Sequence, residues 1–375
     1  MKKISILALS LGYGGIEKAI TDLANNLTKN FDVEIISTYK MLDKPAYKLN
    51  KSVKVTYLID ELKPNRQEFW YYFKTFRFIK TFKEGLKSIK VLKLKKKLMI
   101  KALKECDSDI ILSTRIYHNS LLSKYGKDNT LKIAWEHNHH QGNQQYINKL
   151  VKSCSNVDKL VLVSNELYED YKKNMEGKCE CVYIPHMIDI NKPKRSKLDE
   201  MNLITIGRFS PEKGMTDLPE IIYHVREQIP NIKFNIIGDG PLFDTVKTLV
   251  DKYNVGRSVK LHGYKDSDFI HECLSKSVLY VMPSYTESFG LTLLESFSHG
   301  VPAVSFSTAE GALELIENDV NGYIVNERDN VVMAKKIVEI LQNRGKLKEL
   351  GKNSIAVYNR YLPGNIIEKW YKILK

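Results

Sequence analysis

The stretch Pro283-Ser284-Tyr285-Thr286-Glu287-Ser288-Phe289-Gly290-Leu291-Thr292-Leu293-Leu294-Glu295-Ser296-Phe297-Ser298-His299-Gly300-Val301-Pro302 decides the fold. It lies between two short apolar runs, Val278 to Met282 and Ala303 to Phe306. Apolar runs of that length, bounded by Pro and Gly, read as buried strands. Leu291, Leu294 and Phe297 recur between them at helical spacing. Strand, loop, helix, strand is the repeating unit of a parallel α/β sheet. The same stretch carries chemistry. Glu287 sits in the loop, Ser288-Phe289-Gly290 offers backbone amides at the helix start, and Glu295 lies inside the helix among apolar neighbours. Carboxylates accept bonds from sugar hydroxyls, often two at once. With seven residues between them, Glu287 and Glu295 could hold two sugar rings of one ligand. The plain alternative for Glu295 is a helix-surface residue.

The same rhythm extends in both directions. Upstream, Leu203 to Ile206, Phe234 to Ile237 and Val259 to Leu261 read as strands, with a helix near Met215 to Gln228. Before the polar, Pro-containing linker at residues 191–197, a first series appears: Ile4 to Leu9, Val33 to Ser37, Val53 to Leu58, Ile110 to Ser113, Lys132 to Trp135, Leu160 to Ser164 and Val182 to Ile184. A helix is expected from Glu17 to Thr28. The chain therefore reads as two doubly wound α/β domains, 1–190 and 191–355, followed by a C-terminal helical segment at 356–375. Ligands of such sheets bind outside the carboxyl ends of the strands.

Two further loops follow strands. Gly12-Tyr13-Gly14-Gly15-Ile16-Glu17 lets the backbone approach a ligand at a helix N-terminus. A dinucleotide fingerprint would need glycine where Glu17 stands, which disfavours NAD. Gly207-Arg208-Phe209-Ser210-Pro211-Glu212-Lys213-Gly214 carries two cations able to grip a diphosphate, Arg208 through a planar fork and Lys213 as a point charge. The alternative is ordinary surface charge. Trp135-Glu136-His137-Asn138-His139-His140 reads as a polar loop, with a metal site as another reading. Asp107-Ser108-Asp109 and Asp266-Ser267-Asp268 are expected to be structural, as caps and turns.

Taken together, Glu287 and Glu295 with their spacing, Ser288-Phe289-Gly290, Gly300-Val301-Pro302-Ala303-Val304, the Arg208/Lys213 loop, Ile237-Gly238-Asp239-Gly240-Pro241 and the Gly14-Gly15 turn resemble, in order, the retaining nucleotide-sugar-dependent glycosyltransferases of family 4. The resemblance covers nearly the whole chain and is loosest between residues 40 and 130. It implies the GT-B fold, two Rossmann-like domains facing across a cleft, with a C-terminal helix around Ile366 to Tyr371 crossing back to the first domain. It implies that Arg208 and Lys213 bind the donor diphosphate and that Glu295 holds the ribose. Glu287 with Phe289, Gly290 and Leu291 would hold the donor sugar, through the amides of Phe289 and Gly290. Gly14 and Gly15 would admit the phosphates. A histidine beside the reacting sugar maps to His137, with His139 and His140 as competing registers. Tyr264 is a candidate neighbour of the base. No cofactor and no metal are implied; the UDP- or GDP-linked sugar is a substrate.

Charge adds a second theme. The net charge is +14, and residues 63 to 104 hold 14 Lys/Arg against 2 Asp/Glu, leaving 44 basic and 42 acidic residues elsewhere. Phe69, Tyr72, Phe73, Phe76, Ile79, Phe82, Leu86 and Ile89 recur at steps of three or four with Lys74, Arg77, Lys80, Lys83, Lys87 and Lys90 between them. This is the pattern of a basic amphipathic helix, with a break expected at Gly85. It suits an anionic membrane surface and a lipid-linked or polymer acceptor, with a core-packed helix or a groove for an anionic acceptor as competing readings. Five cysteines, an odd number without zinc spacing, and a first apolar run that reads as a strand rather than a leader predict a cytoplasmic protein, and the basic segment predicts one held at the inner face of the membrane. The expected function is glycosyl transfer in cell-surface polysaccharide assembly. The alternatives are a nucleotide-sugar epimerase of the same fold and a basic nucleic-acid-binding protein, the latter opposed by charge confined to one segment.

Overall fold

Parallel strands are covered on both faces, so their sequences are apolar throughout rather than alternating. The first strand, β1 (Lys3–Ala8), shows this: every residue from Ile4 to Ala8 is buried. In the computed structural model, which describes residues 1–60, 71, 73 and 77–375, it is an interior strand of a seven-stranded sheet. The others are β2 (Asp32–Tyr39), β3 (Lys54–Ile59), β4 (Ile110–Ser113), β5 (Leu131–Glu136), β6 (Lys159–Leu162) and β7 (Glu180–Tyr183), in the order β3-β2-β1-β4-β5-β6-β7. Every pairing is parallel; Ile6, for example, lies opposite Ile35 on one side and Leu112 on the other.

A second sheet contains β8 (Asn202–Ile206), β9 (Lys233–Ile237), β10 (Val259–Leu261), β11 (Leu279–Met282), β12 (Ala303–Phe306) and β13 (Gly322–Val325), in the order β10-β9-β8-β11-β12-β13. Strand order reverses between β1 and β4 in the first sheet and between β8 and β11 in the second. At such reversals the loops leaving neighbouring strands diverge and open a crevice at the carboxyl ends. The chain splits into two units. One comprises residues 1–163, 168–184 and 367–375; the other comprises residues 164–167 and 185–366. In the first unit the end of the helix Pro363–Leu374 buries Trp370 edge-on against Trp135, with ring centroids 4.9 Å apart.

The basic helix runs as Phe78–Glu105 and passes through Gly85 without a break. Glycine costs a helix interior only about 1 kcal/mol relative to alanine, and the following turns pack on the core. Phe69, Tyr72, Lys74 and Phe76 lie outside the described residues. Both Asp-Ser-Asp triplets serve structure. Asp109 accepts the Lys3 amide at 2.7 Å, and Asp266 caps the helix Ser267–Leu274 through the Phe269 amide at 3.0 Å. The five cysteines are free thiols. Among the described residues, no helix is long and apolar enough to cross a membrane.

His118 gives the first unit a pH dependence. It is fully buried, with Nε2 3.1 Å from Thr38 Oγ1. Burial, then the charges of Lys95 and Arg115, push its pKa down to about 3. The folded ring therefore stays neutral where an unfolded histidine, with a pKa near 6.5, takes up a proton. Stability from this group is complete above pH 6.5 and is lost as pH falls below it. Relative to His118→Gln, the wild-type protein is expected to lose roughly 2 kcal/mol of unfolding free energy between pH 7 and pH 5. Urea unfolding at both pH values measures this; a difference that does not change with pH contradicts it.

Candidate active site

In the second unit the loops after β8 and β11 meet. They belong to adjacent strands at the reversal of strand order. Gly214 ends the short 3-10 turn Pro211–Lys213 with φ of 61°, and a Cβ placed there would stand 2.0 Å from the Pro283 carbonyl oxygen. Only glycine allows this approach. The Tyr285 amide then donates to the Glu212 carbonyl at 2.9 Å. With the loops locked together, Lys213 Nζ donates to Glu287 Oε2 at 2.6 Å, both side chains remaining partly exposed. Two residues 74 positions apart thus form one mixed-charge site. Arg208 is exposed on the same loop.

Glu287 is also fixed through its backbone. Its carbonyl accepts the Gly311 amide at 2.7 Å, and a Cβ on Gly311 would stand 2.3 Å from the Phe289 nitrogen. Phe289 is buried, its ring edge-on to His186 at 5.2 Å. It can serve a ligand only through its backbone. Gly290 caps the helix Leu291–Ser298; the Leu293 amide bonds back to the Gly290 carbonyl at 2.9 Å, and the amides ahead of it, without helical acceptors, attract anions. Glu295 lies half-buried in that helix. Tyr264 follows the edge strand β10, is exposed, and stands beyond β9 from the Lys213 loop.

Three residues that hold this architecture escape sequence reading. Tyr280, buried within β11, donates its hydroxyl to the Ile206 carbonyl at 2.9 Å and shares a second 2.9 Å hydrogen bond with the Thr292 hydroxyl. It ties the end of β8 to the start of the helix bearing Glu295. Arg328 does more. Nη1 donates to the Ser284 carbonyl and Thr308 Oγ1, each at 3.0 Å; Nη2 donates to Asp217 Oδ2 at 2.6 Å and the Pro283 carbonyl at 2.7 Å. Its guanidinium carbon lies 3.2 Å from the Tyr285 ring centroid and 4.7 Å from that of Phe306. Burial pushes the Asp217 carboxyl above the ordinary range, and the Arg328 charge pulls it partly back.

The third is Glu136, in the first unit at the end of β5. Its Oε1 accepts the amides of His137 at 2.9 Å and Asn138 at 2.7 Å, Asn138 Nδ2 at 3.2 Å and the Tyr146 hydroxyl at 3.1 Å. Burial raises its pKa against these bonds. This buried carboxylate fixes the backbone of His137, whose ring lies tilted at 47° to that of Trp135 with centroids 4.3 Å apart. The other two histidines hold the loop itself. His139 Nδ1 accepts the Gln141 amide and His140 Nδ1 the Gly142 amide, each at 3.0 Å, while His140 Nε2 donates to Asp170 at 2.8 Å. Gly14 donates its amide to the Tyr47 hydroxyl at 3.3 Å, and Gly15 begins the first helix, Gly15–Leu27. Glu17 in that helix pairs with Arg115 at 3.2 Å.

Comparison with known proteins agrees with this anatomy. Residues 187–357 match the family model described as Glycosyl transferases group 1. An exopolysaccharide phosphotransferase of Streptomyces coelicolor is 24% identical over 100% of this chain, which spans 40% of that protein's length. The GalNAc-alpha-(1->4)-GalNAc-alpha-(1->3)-diNAcBac-PP-undecaprenol alpha-1,4-N-acetyl-D-galactosaminyltransferase of Campylobacter jejuni is 27% identical over 100% of this chain and 98% of its own length. A mutant Staphylococcus aureus TarM, solved with fondaparinux, alpha-GlcNAc-glycerol and UDP, has the same fold, with a TM-score of 0.81 at 16% identity over 100% of both chains. The fold is GT-B, and the matches support the group 1 glycosyltransferase superfamily.

Arg328 yields a stability test. A lysine there keeps the charge but cannot serve four acceptors on three segments, Pro283/Ser284, Thr308 and Asp217, from one plane. Arg328→Lys is expected to destabilise the second unit by roughly 1.5–3 kcal/mol, the range for hydrogen bonds to charged groups. Urea unfolding measures it, and a change within about 0.5 kcal/mol, typical of a neutral surface substitution, would contradict the role.

Proposed function

We propose that this chain is a retaining family 4 glycosyltransferase that moves a hexosyl group from a UDP- or GDP-linked donor to an acceptor hydroxyl in cell-surface polysaccharide assembly. The observation that carries this is the Lys213–Glu287 pair at 2.6 Å, formed by loops leaving the adjacent strands β8 and β11. It places a phosphate-binding cation beside a hydroxyl-binding carboxylate. Breaking the sugar–phosphate bond puts negative charge on the departing diphosphate. Arg208, Lys213 and the first-turn amides of the helix Leu291–Ser298 stabilise that charge as it develops. The acceptor hydroxyl attacks from the face the phosphate leaves, and a phosphate oxygen takes its proton, so configuration is retained. In this reading the chain's own cations meet the charge, and the step uses no metal ion.

Glu295 holds the ribose, Glu287 and the amides of Phe289 and Gly290 hold the sugar next to Leu291, and Tyr264 flanks the base. From the first unit, His137 is assigned to the reacting sugar, and Gly14 and Gly15 to the diphosphate. The relative named for a PP-undecaprenol-linked glycan supports a lipid-linked acceptor, and the TarM complex with UDP supports a uridine donor. Such an acceptor would keep the enzyme at the inner face of the membrane.

Screening UDP- and GDP-sugars for hydrolysis, first alone and then with membrane lipid extract, tests the reading. One donor is expected to release nucleoside diphosphate, and Glu295→Ala to abolish the release. Lys213→Ala is expected to lower the rate by about 10²–10³, the usual cost of one charge-stabilising group. Activity of that variant within about threefold of wild type would exclude the role given to Lys213, and no release from any donor under either condition would overturn the function.

A further inference from the structure

The helix Phe78–Glu105 is divided along its length. Its C-terminal half is built into the first unit. Val91 packs with Tyr39 and Ile59, while Met99 and Leu103 pack with Leu7, Ile36 and Ile111. The N-terminal half has large apolar side chains in water: Ile79 is 76% exposed, Phe82 68%, Leu86 54% and Ile89 51%. At about 100° per residue these four fall within an arc of about 80°, and Val91, Met99 and Leu103 all lie outside it. The fully buried residues of the helix therefore lie outside the ridge's arc, and Ile100, about three turns further along within that arc, packs only partly buried against the core. Single exposed apolar residues are common, but a continuous ridge of four marks an interaction surface.

The surrounding charge identifies the partner. Lys80, Lys83, Lys87 and Lys90 flank the ridge, and the helix carries ten lysines against Glu84 and Glu105. Lys87 approaches Glu84 only to 3.7 Å. A second copy of the chain would bring like charges together. A nucleic acid would take the lysines and leave the ridge in water. An anionic bilayer accommodates both, with apolar side chains among the acyl chains and ammonium groups at the headgroups. We propose that the N-terminal half of this helix, centred on Ile79, Phe82, Leu86 and Ile89, docks in the interface of an anionic phospholipid membrane. This goes beyond the transfer reaction and does not depend on it.

Vesicle flotation of the full chain tests the proposal, using phosphatidylcholine alone and phosphatidylcholine mixed equally with phosphatidylglycerol. The protein is expected to float with the mixed vesicles and not with the neutral ones, and to be released by added salt. Phe82→Ser with Leu86→Ser should lower binding by at least about tenfold. Lys83→Gln with Lys87→Gln should weaken it specifically on the anionic vesicles. Unchanged thermal unfolding and donor hydrolysis in these variants would show that the fold is intact. Equal flotation of the Phe82/Leu86 variant, equal binding to neutral and anionic vesicles, or a self-association seen by analytical ultracentrifugation that the same substitutions abolish would overturn the proposal.

Discussion

The guanidinium of Arg328 is the joint on which the second unit's site depends. It fastens the segment Pro283–Tyr285 to Asp217, on the chain just beyond Lys213 and Gly214. Both partners are largely withdrawn from water, so the ion pair recovers only part of its desolvation cost. The raised pKa of Asp217 expresses that balance. Its value is positional. Once the two loops are pinned, the Lys213 ammonium and the Glu287 carboxylate meet without further adjustment.

The two units solve a similar problem with opposite polarity. In the first, the acid follows β1 as Glu17 and the cation follows β4 as Arg115. In the second, the cation follows β8 as Lys213 and the acid follows β11 as Glu287. Each pair spans the two strands at which strand order reverses. Diverging loops at a reversal leave polar groups facing a crevice, and opposite charges there satisfy each other. Burial raises the pKa of Glu17, with the Arg115 charge opposing it.

The strands were legible because a parallel sheet covered on both faces leaves continuous apolar runs, as at Ile110 to Ser113 and Ala303 to Phe306. The short edge strand β13 begins with glycine and gave too little signal. Lys213, Glu287 and Glu295 were legible because charge in a glycine-bounded loop, or among leucines, stands out. Arg328 was not, since Glu327-Arg328-Asp329-Asn330 reads as a solvated turn; its acceptors come from distant segments. Tyr280 looked like one more apolar strand residue, and its hydroxyl mattered only once Ile206 and Thr292 were beside it. Glu136 was visible within the histidine-rich loop, but its carboxylate acts on the backbone of residues after it, which no side-chain pattern reveals.

The divided helix has a consequence for cooperativity. An isolated stretch of helix is marginal in water, and most helical stability comes from packing one face. The turns around Val91, Met99 and Leu103 have that support and open only when the core opens. The turns from Phe78 to Lys90 bury no side chain fully, and lysines three and four residues apart repel one another there. The free energy of local opening therefore falls along one unbroken helix, from near the global value at its end to little at its start. Amide exchange along this helix is expected to follow that gradient, as for two folding units joined without a turn.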